Sequence, residues 1–165
     1  MKNYQENIKN FSIKNNFFNV NLKKIIIHSG LAKKNKDKIY IKNAFDTIKF
    51  ISGQKPVFSK IKKSISNFKS KIGEIAGIYT TLRKKKMWEF YHKLICIVIP
   101  RIKEFKGFNK KSIDRFGNFN LGLKDINVFP DFLNDFKIGL NISIVVKNLK
   151  NNFENFYRTI NFPIK

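Results

Sequence analysis

The chain has 165 residues and sets 34 Lys and Arg against 11 Asp and Glu, a formal net charge of +23. One domain is expected at this length, burying about 70% of the surface its unfolded chain exposes, so neither a metal nor a disulfide is needed to hold it. One cysteine excludes a disulfide framework and a Cys-rich zinc site, 42% apolar residues with 18 Phe argue against disorder, and the longest apolar run, residues 94–100, is far short of the ~18 residues of a membrane span.

Residues 1–21 are rich in Lys and Asn, contain Glu6 and hold no Arg. They lack the apolar stretch and small-residue cleavage site of a secretory signal, and the Arg/Ser bias of a transit peptide. Ile8, Phe11 and Phe18 fall at roughly helical spacing, so 4–18 is expected to be a short, weakly committed helix. Residues 22–27 are β-branched and lead into Ser29-Gly30, which reads as a strand and a turn. Residues 35–51 place Ile41, Ala44, Phe45, Ile48 and Ile51 on one stripe, a helix closed by Ser52-Gly53.

Residues 56–59 are expected to be short and extended. Residues 65–69 and 78–82 are strand-like runs around a flexible loop, 70–77, which contains Gly73 and Gly77. Residues 84–99 give the clearest helix, with Met87, Phe90, Tyr91, Leu94, Ile95 and Val98 on a broad apolar face and Pro100 stopping the run. Residues 119–123 alternate as a strand. So do 138–146, where Ile138, Leu140, Ile142, Ile144 and Val146 face one way. A last helix spans about 151–160. With no linker, repeat or charge block dividing it, the chain reads as a single α+β domain over 1–165: a mostly antiparallel sheet, helices on one face and the other face free for a partner.

So large a positive charge opposes folding by self-repulsion, and a polyanion is the natural complement. Nucleic acid carries one charge per ~1.7 Å of duplex axis, and each lysine beside it releases a counterion. A membrane surface fits less well, because the basic residues are spread along the chain and not gathered on one amphipathic helix. Lys60, Lys62 and Lys63, followed by Phe68, Lys69 and Lys71, form a basic stretch with an aromatic interruption that suits phosphate contact. The aromatic signature of single-strand RNA readers is absent, so most Phe are assigned to the core.

Enzymatic patterns are missing. His28 and His92 have no metal spacing, and a helix-surface or packing role suits His92. Cys96, amid Leu94, Ile95, Ile97 and Val98, reads as a buried inert thiol. Asp114, Asp125, Asp131 and Asp135 are better turn formers than magnesium ligands. No catalytic residue, metal site or cofactor is expected. The competing reading, an organellar RNA-processing or RNA-cleaving enzyme, would need an acid cluster or activated base that the sequence does not display.

The composition also records its genome. Lys, Asn, Ile and Phe number 30, 21, 25 and 18, more than half of the chain and all drawn from A/T-rich codons. The four arginines, Arg83, Arg101, Arg115 and Arg158, were retained against that drift, which suits roles that need a planar fork. A mitochondrion is the first expectation, with a plastid or an AT-rich bacterium as alternatives.

Ile51-Ser-Gly-Gln-Lys-Pro56 is followed in order by Lys62-Lys-Ser64, Asn67-Phe-Lys69, Thr81-Leu-Arg83, Met87-Trp-Glu-Phe90, Ile99-Pro-Arg-Ile102, Lys106-Gly107 and Gly117-Asn118. This series resembles the fifth large-subunit ribosomal protein family, which binds 5S ribosomal RNA. It covers about residues 25–130 at near-constant spacing and resumes at the last strand and Phe162-Pro163.

The resemblance implies a non-enzymatic constituent of the large subunit, in contact with 5S rRNA, large-subunit rRNA and neighbouring ribosomal proteins in the central protuberance. The 5S rRNA contacts it implies are His28, Gln54, Lys55, Lys60, Lys62, Lys63, Thr81 and Arg83; His28 departs from the family's usual Asn. A loop near P-site tRNA would comprise Lys69, Ser70, Lys71, Ile72, Gly73, Glu74, Ile75, Ala76 and Gly77. A bridge to a small-subunit head protein would use residues 127–139, which look shorter and less charged than the family's equivalent. Arg83, Arg101 and Arg115 fall where the family also has basic residues, and Arg101 near Glu104 suits a structural pairing.

Overall fold

The computed structural model describes residues 6, 21–31, 37–68, 70–103, 105–130, 138–147 and 153–164. Five strands, β1 (Asn21–Gly30), β2 (Val57–Lys60), β3 (Ile75–Leu82), β4 (Phe119–Leu123) and β5 (Leu140–Lys147), form one sheet in the order β2-β3-β1-β5-β4. Every neighbouring pair is antiparallel. The described helices include α1 (Lys38–Ser52), α2 (Lys84–Lys93) and α3 (Phe153–Thr159), so the expected α+β class holds. The helix expected over 4–18 falls almost wholly outside the described residues.

Period-two burial sets the sheet. β5 buries Leu140, Ile142, Ile144 and Val146, and β4 buries Phe119, Leu121 and Leu123. In β1 a register shift between Leu22 and Lys24 lets both Leu22 and Ile25 face inward, ahead of Ile27. Burying each such side chain contributes about 1.5–3 kcal/mol. Thr80 of β3 also faces inward, and its hydroxyl finds no hydrogen-bond partner.

α1 is capped by Asp37, whose carboxylate accepts from Tyr40 N–H at 3.0 Å. It presents Ile41, Ala44, Ile48 and Ile51 to the sheet and ends where Gly53 takes a left-handed conformation at φ 60°. α2 buries Met87, Trp88, Phe90 and Tyr91 and runs on through a π turn, Leu94–Val98, into a 3-10 turn, Ile99–Arg101. Pro100 lies within that last turn, so the run ends at Arg101, two residues beyond the Ile99 that the proline implies. Tyr91 Oη donates to the Ile160 carbonyl at 3.0 Å, tying α2 to the segment after α3.

Three expectations need correction. Residues 65–68 of the expected strand 65–69 are not a strand: Ile65 makes a single bridge to Ser70, beside a one-turn 3-10 helix, Ser66–Phe68. Five residues with Ser and Asn at their centre favour a turn, and no further strand among the described residues lies alongside to pair them. Ile75, Ala76 and Gly77 are not loop but the start of β3, because Ile75 and Gly77 pair with Lys60 and Ser59. Cys96 is exposed, not buried. The π turn lets Leu94 and Val98 take the inward positions and swings Cys96 outward, above exposed His92, whose Nε2 lies 3.6 Å from Sγ.

Candidate nucleic-acid interface

The sheet face opposite the core follows from the register. Ile26 pairs with Thr81 and Ser143, and His28 with Tyr79 and Asn141; Asn120 and Gly122 extend the row on β4. Apart from Ile26 these residues are small, polar or aromatic, and all are exposed or half-buried. Ser143 Oγ lies 2.7 Å from Asn120 Oδ1. A Cβ on Gly77 would stand 2.5 Å from the Ser29 carbonyl and 3.0 Å from His28 Nε2, so glycine here lets β3 lie close to β1 and the imidazole lean across it.

At one end of this sheet the turn after α1 is tied to β3. Ser52 Oγ donates to the Ile48 carbonyl at 2.6 Å and accepts from Gln54 N–H at 3.3 Å. Gln54 Nε2 then donates to the Thr81 carbonyl at 3.2 Å, and Lys86 Nζ donates to the Gly53 carbonyl at 2.9 Å. Two expected RNA contacts, 27 residues apart, are thus joined directly. His28 shares the face of Thr81 but leans away from it, toward Gly77. Arg83 follows at the N-cap of α2, exposed and with no side-chain capping bond.

Beyond β2 the chain forms a narrow, hydrogen-bonded extension. Ile61 N–H donates to the Glu74 carbonyl at 2.9 Å, Gly73 N–H to the Ile61 carbonyl at 3.1 Å and Ile72 N–H to Ser64 Oγ at 3.1 Å. Glu74 turns its carboxylate onto its own turn and accepts from Lys71 N–H at 3.2 Å. Lys55, Lys60, Lys62, Lys63 and Lys71 are exposed, and among the described residues none of them makes an ion pair. Lys69 lies outside the described residues.

This layout can be set beside known proteins. Residues 15–71 match the family model for ribosomal protein L5, and residues 75–163 match the model for the C-terminus of the same ribosomal family. The chain belongs to the ribosomal protein L5 family. It is 41% identical over 163 residues to the large ribosomal subunit protein uL5 of Baumannia cicadellinicola, covering 96% of this chain and 90% of that one. It is 43% identical over 150 residues to uL5 of Wigglesworthia glossinidia (87% and 83%), and 42% identical over 142 residues to uL5 of Campylobacter hominis (84% and 78%). As an L5 protein the chain is a structural constituent of the large ribosomal subunit, associated with rRNA, and not an enzyme.

The remaining candidates of this L5 chain sort by position. Asp114 works as a turn former: its carboxylate accepts from the backbone N–H of Phe116 and of Asn118 and from Asn118 Nδ2, each at 2.8 Å. Desolvation pushes this carboxyl up, but the bonds from Asn118 and Phe116 outweigh it and hold Asp114 below the ordinary carboxylate range. Tyr157 Oη donates to the Gly117 carbonyl at 2.7 Å; burial, with a smaller push from Asp114, drives the phenol well above its ordinary value. The turn holds Arg115 and Phe116 out in solvent. Arg101 is exposed beside a groove of about 680 Å³ along β4. Glu104, Asp131, Asp135 and most of the bridge segment 127–139 lie outside the described residues. Among those described, no three His, Cys, Asp or Glu side chains gather as a metal site, and no helix is long and apolar enough to cross a membrane.

Three contributors escape a reading of the sequence. Tyr79 projects beside His28, Lys86 closes the α1 turn and Phe50 stands exposed next to Gln54. Strand alternation from Thr81 back to Tyr79 carried a signal for the first, and the position of Phe50 outside the apolar stripe of α1 carried one for the third.

Proposed function

We propose that this chain holds 5S rRNA in the central protuberance of the large subunit. His28, Gln54, Lys55, Lys60, Lys62, Lys63, Thr81 and Arg83 form the contact, and the chain makes no use of a cofactor. The observation that carries the reading is the bond from Gln54 to the Thr81 carbonyl, which joins two expected RNA contacts at the end of a polar sheet face flanked by lysines that make no ion pair among the described residues. Lysines neutralise phosphates, while the sheet face meets the wide minor groove of an A-form helix and its 2′-hydroxyls. The narrow extension at 70–74, with Lys69 before it, approaches P-site tRNA, and residues 127–139 meet a small-subunit head protein. β1 lies between β3 and β5, so neither family-model stretch holds the sheet alone, which supports one domain over 1–165.

The similarity to bacterial proteins supports the AT-rich bacterium among the proposed sources and lends no support to the mitochondrion expected first. The test is retention of a 5S rRNA transcript by purified protein. With ~6 phosphates contacted, affinity falls ~10³-fold or more between ~50 and ~200 mM salt. Arg83→Lys keeps the charge but loses the fork, and weakens binding at matched salt. A flat salt response, or a wild-type chain that retains no 5S rRNA, overturns the reading.

A further inference from the structure

Phe116 is 77% exposed, and it is held there by the turn over residues 114–118. Asp114 N–H donates to the Asn118 carbonyl at 2.8 Å and Gly117 N–H to the Asp114 carbonyl at 3.0 Å, besides the three bonds that the Asp114 carboxylate accepts. Gly117 closes the turn at φ 80°, a conformation open to glycine. The turn is also fastened from outside. Asn118 Oδ1 accepts from Val146 N–H of β5 at 3.1 Å, and the Gly117 carbonyl accepts from the buried Tyr157 of α3. A turn tied to a strand and a helix presents Arg115 and Phe116 already ordered, so the entropy of ordering their backbone is lost on folding and not on contact with a partner.

The register shows which residues share this end of the sheet. Phe119 pairs with Ile144, Ile144 with Ile25 and Ile25 with Leu82, one row across four strands. The turn leads into that row on β4 and Arg83 follows it on β3. The two arginines therefore mark opposite corners of one sheet end, on strands three spacings, about 14 Å, apart. Lys23 of β1 and Lys147 of β5 are exposed between them. None of these four cations makes an ion pair among the described residues, and the acid inside the turn, Asp114, has its carboxylate committed to three N–H donors. The charge calls for a polyanion. One ring between a guanidinium and a glycine is too small an apolar patch to seat a protein, but it matches the face of a single nucleobase.

We propose that this turn is a further RNA site, in which the Phe116 ring stacks on one unpaired base of ribosomal RNA and the Arg115 guanidinium takes a phosphate beside it. The site rests on association with rRNA and not on the 5S contact; the base belongs to 5S rRNA or to large-subunit rRNA. The test is filter retention of the two transcripts, separately, by the full chain. Phe116→Ala weakens retention of one transcript about tenfold with an unchanged salt slope, since stacking releases no counterion. Phe116→Leu, apolar without the ring, weakens it as well, and Phe116→Trp keeps wild-type retention. Arg115→Ala lowers the salt slope by about one on that same transcript. Denaturant midpoints of all four variants stay at the wild-type value, which separates a lost contact from a lost fold.

The transcript that responds identifies the RNA that supplies the base. If Phe116→Ala and Phe116→Leu retain both transcripts as the wild type does, the stacking site is wrong, and the 5S reading stands wherever the wild type retains 5S rRNA. If the wild type retains only the large-subunit transcript and Phe116→Ala is weakened on it, the 5S reading falls and this site stands. Variants that keep both RNAs yet are lost from salt-washed large subunits reconstituted with them place a protein against the turn and overturn the proposal. A wild type that retains neither transcript overturns this site and the 5S reading together.

Discussion

The same side chain has opposite surroundings at the two ends of this molecule. Around β4 and the C-terminal segment, Phe119 is fully buried, with its ring centroid 4.5 Å from that of Phe162, 5.0 Å from Phe108 and 6.0 Å from Tyr157. In the turn between β2 and β3, Phe68 is 79% exposed and Ile72 is 68% exposed, and the backbone between them is held by hydrogen bonds and not by packing. An aromatic content of 15% is therefore two populations. One drives folding through area removed from water, and the other, exposed on the surface, has Phe68 and Phe116 at its extreme, both held out in short turns.

The contrast is most sharply tested at its buried end. Phe119→Ala removes a ring from a site with three aromatic neighbours and leaves a cavity, and it costs about 4 kcal/mol, read as the shift of the denaturant midpoint at unchanged m-value. A loss below about 1 kcal/mol would show that these rings touch without supporting one another.

Gly77 lies between the two regions, where β3 crosses from the narrow extension into the central sheet. Gly77→Ala drives a methyl group toward the Ser29 carbonyl, 2.5 Å away, and because the obstacle is backbone the strands must part. The expected loss is about 2 kcal/mol by the same measurement. It is accompanied by a changed environment for the His28 ring, visible as shifted imidazole resonances in an NMR spectrum. Unchanged resonances would show that the close approach is dispensable.

At the aromatic end a charge also supports the fold. The folded-state pKa of Asp114 lies below its ordinary 3.8, so its contribution is complete above the unfolded value and fades as pH falls through the folded one. Asp114→Asn keeps one acceptor oxygen but loses the charge. It costs about 1 kcal/mol at neutral pH and flattens the acid limb of the stability curve below about pH 4. Urea midpoints measured from neutral to strongly acidic pH decide it: parallel curves for the two proteins would remove this carboxylate from the account.

How much of this was visible beforehand depends on the range of the forces involved. β4 and β5 were legible because one face of each is dry, and period two then appears in the letters themselves. α1 was legible from its stripe and from the glycine that closes it. The extent of β3 was not, since Ile75 to Gly77 become strand only by pairing with residues on β2 and β1. Cys96 was misread because a π turn changes the angular step of the helix, and composition around a residue does not record that step. Gln54 and Thr81 entered as candidates through the family resemblance; their mutual bond needed the fold, because nothing local in either segment points 27 residues away. The preference of Asp for turns did foretell Asp114, which is local chemistry.

The smallest expected effect on stability is the most discriminating. Phe68→Ala removes a ring that meets no other aromatic ring among the described residues, so the denaturant midpoint moves by no more than about 0.5 kcal/mol. The turn persists in the variant, because Ile65 and Ser70 hold each other through backbone bonds that do not involve the ring. If the exposed ring is kept for contact, its loss appears only in the assembled particle, as weaker retention of P-site tRNA by large subunits reconstituted with the variant and joined to small subunits. The two readouts separate the alternatives: a midpoint loss like that of Phe119→Ala would make Phe68 a packing residue, and normal stability with normal tRNA retention would leave the exposed population without the role the contrast gives it.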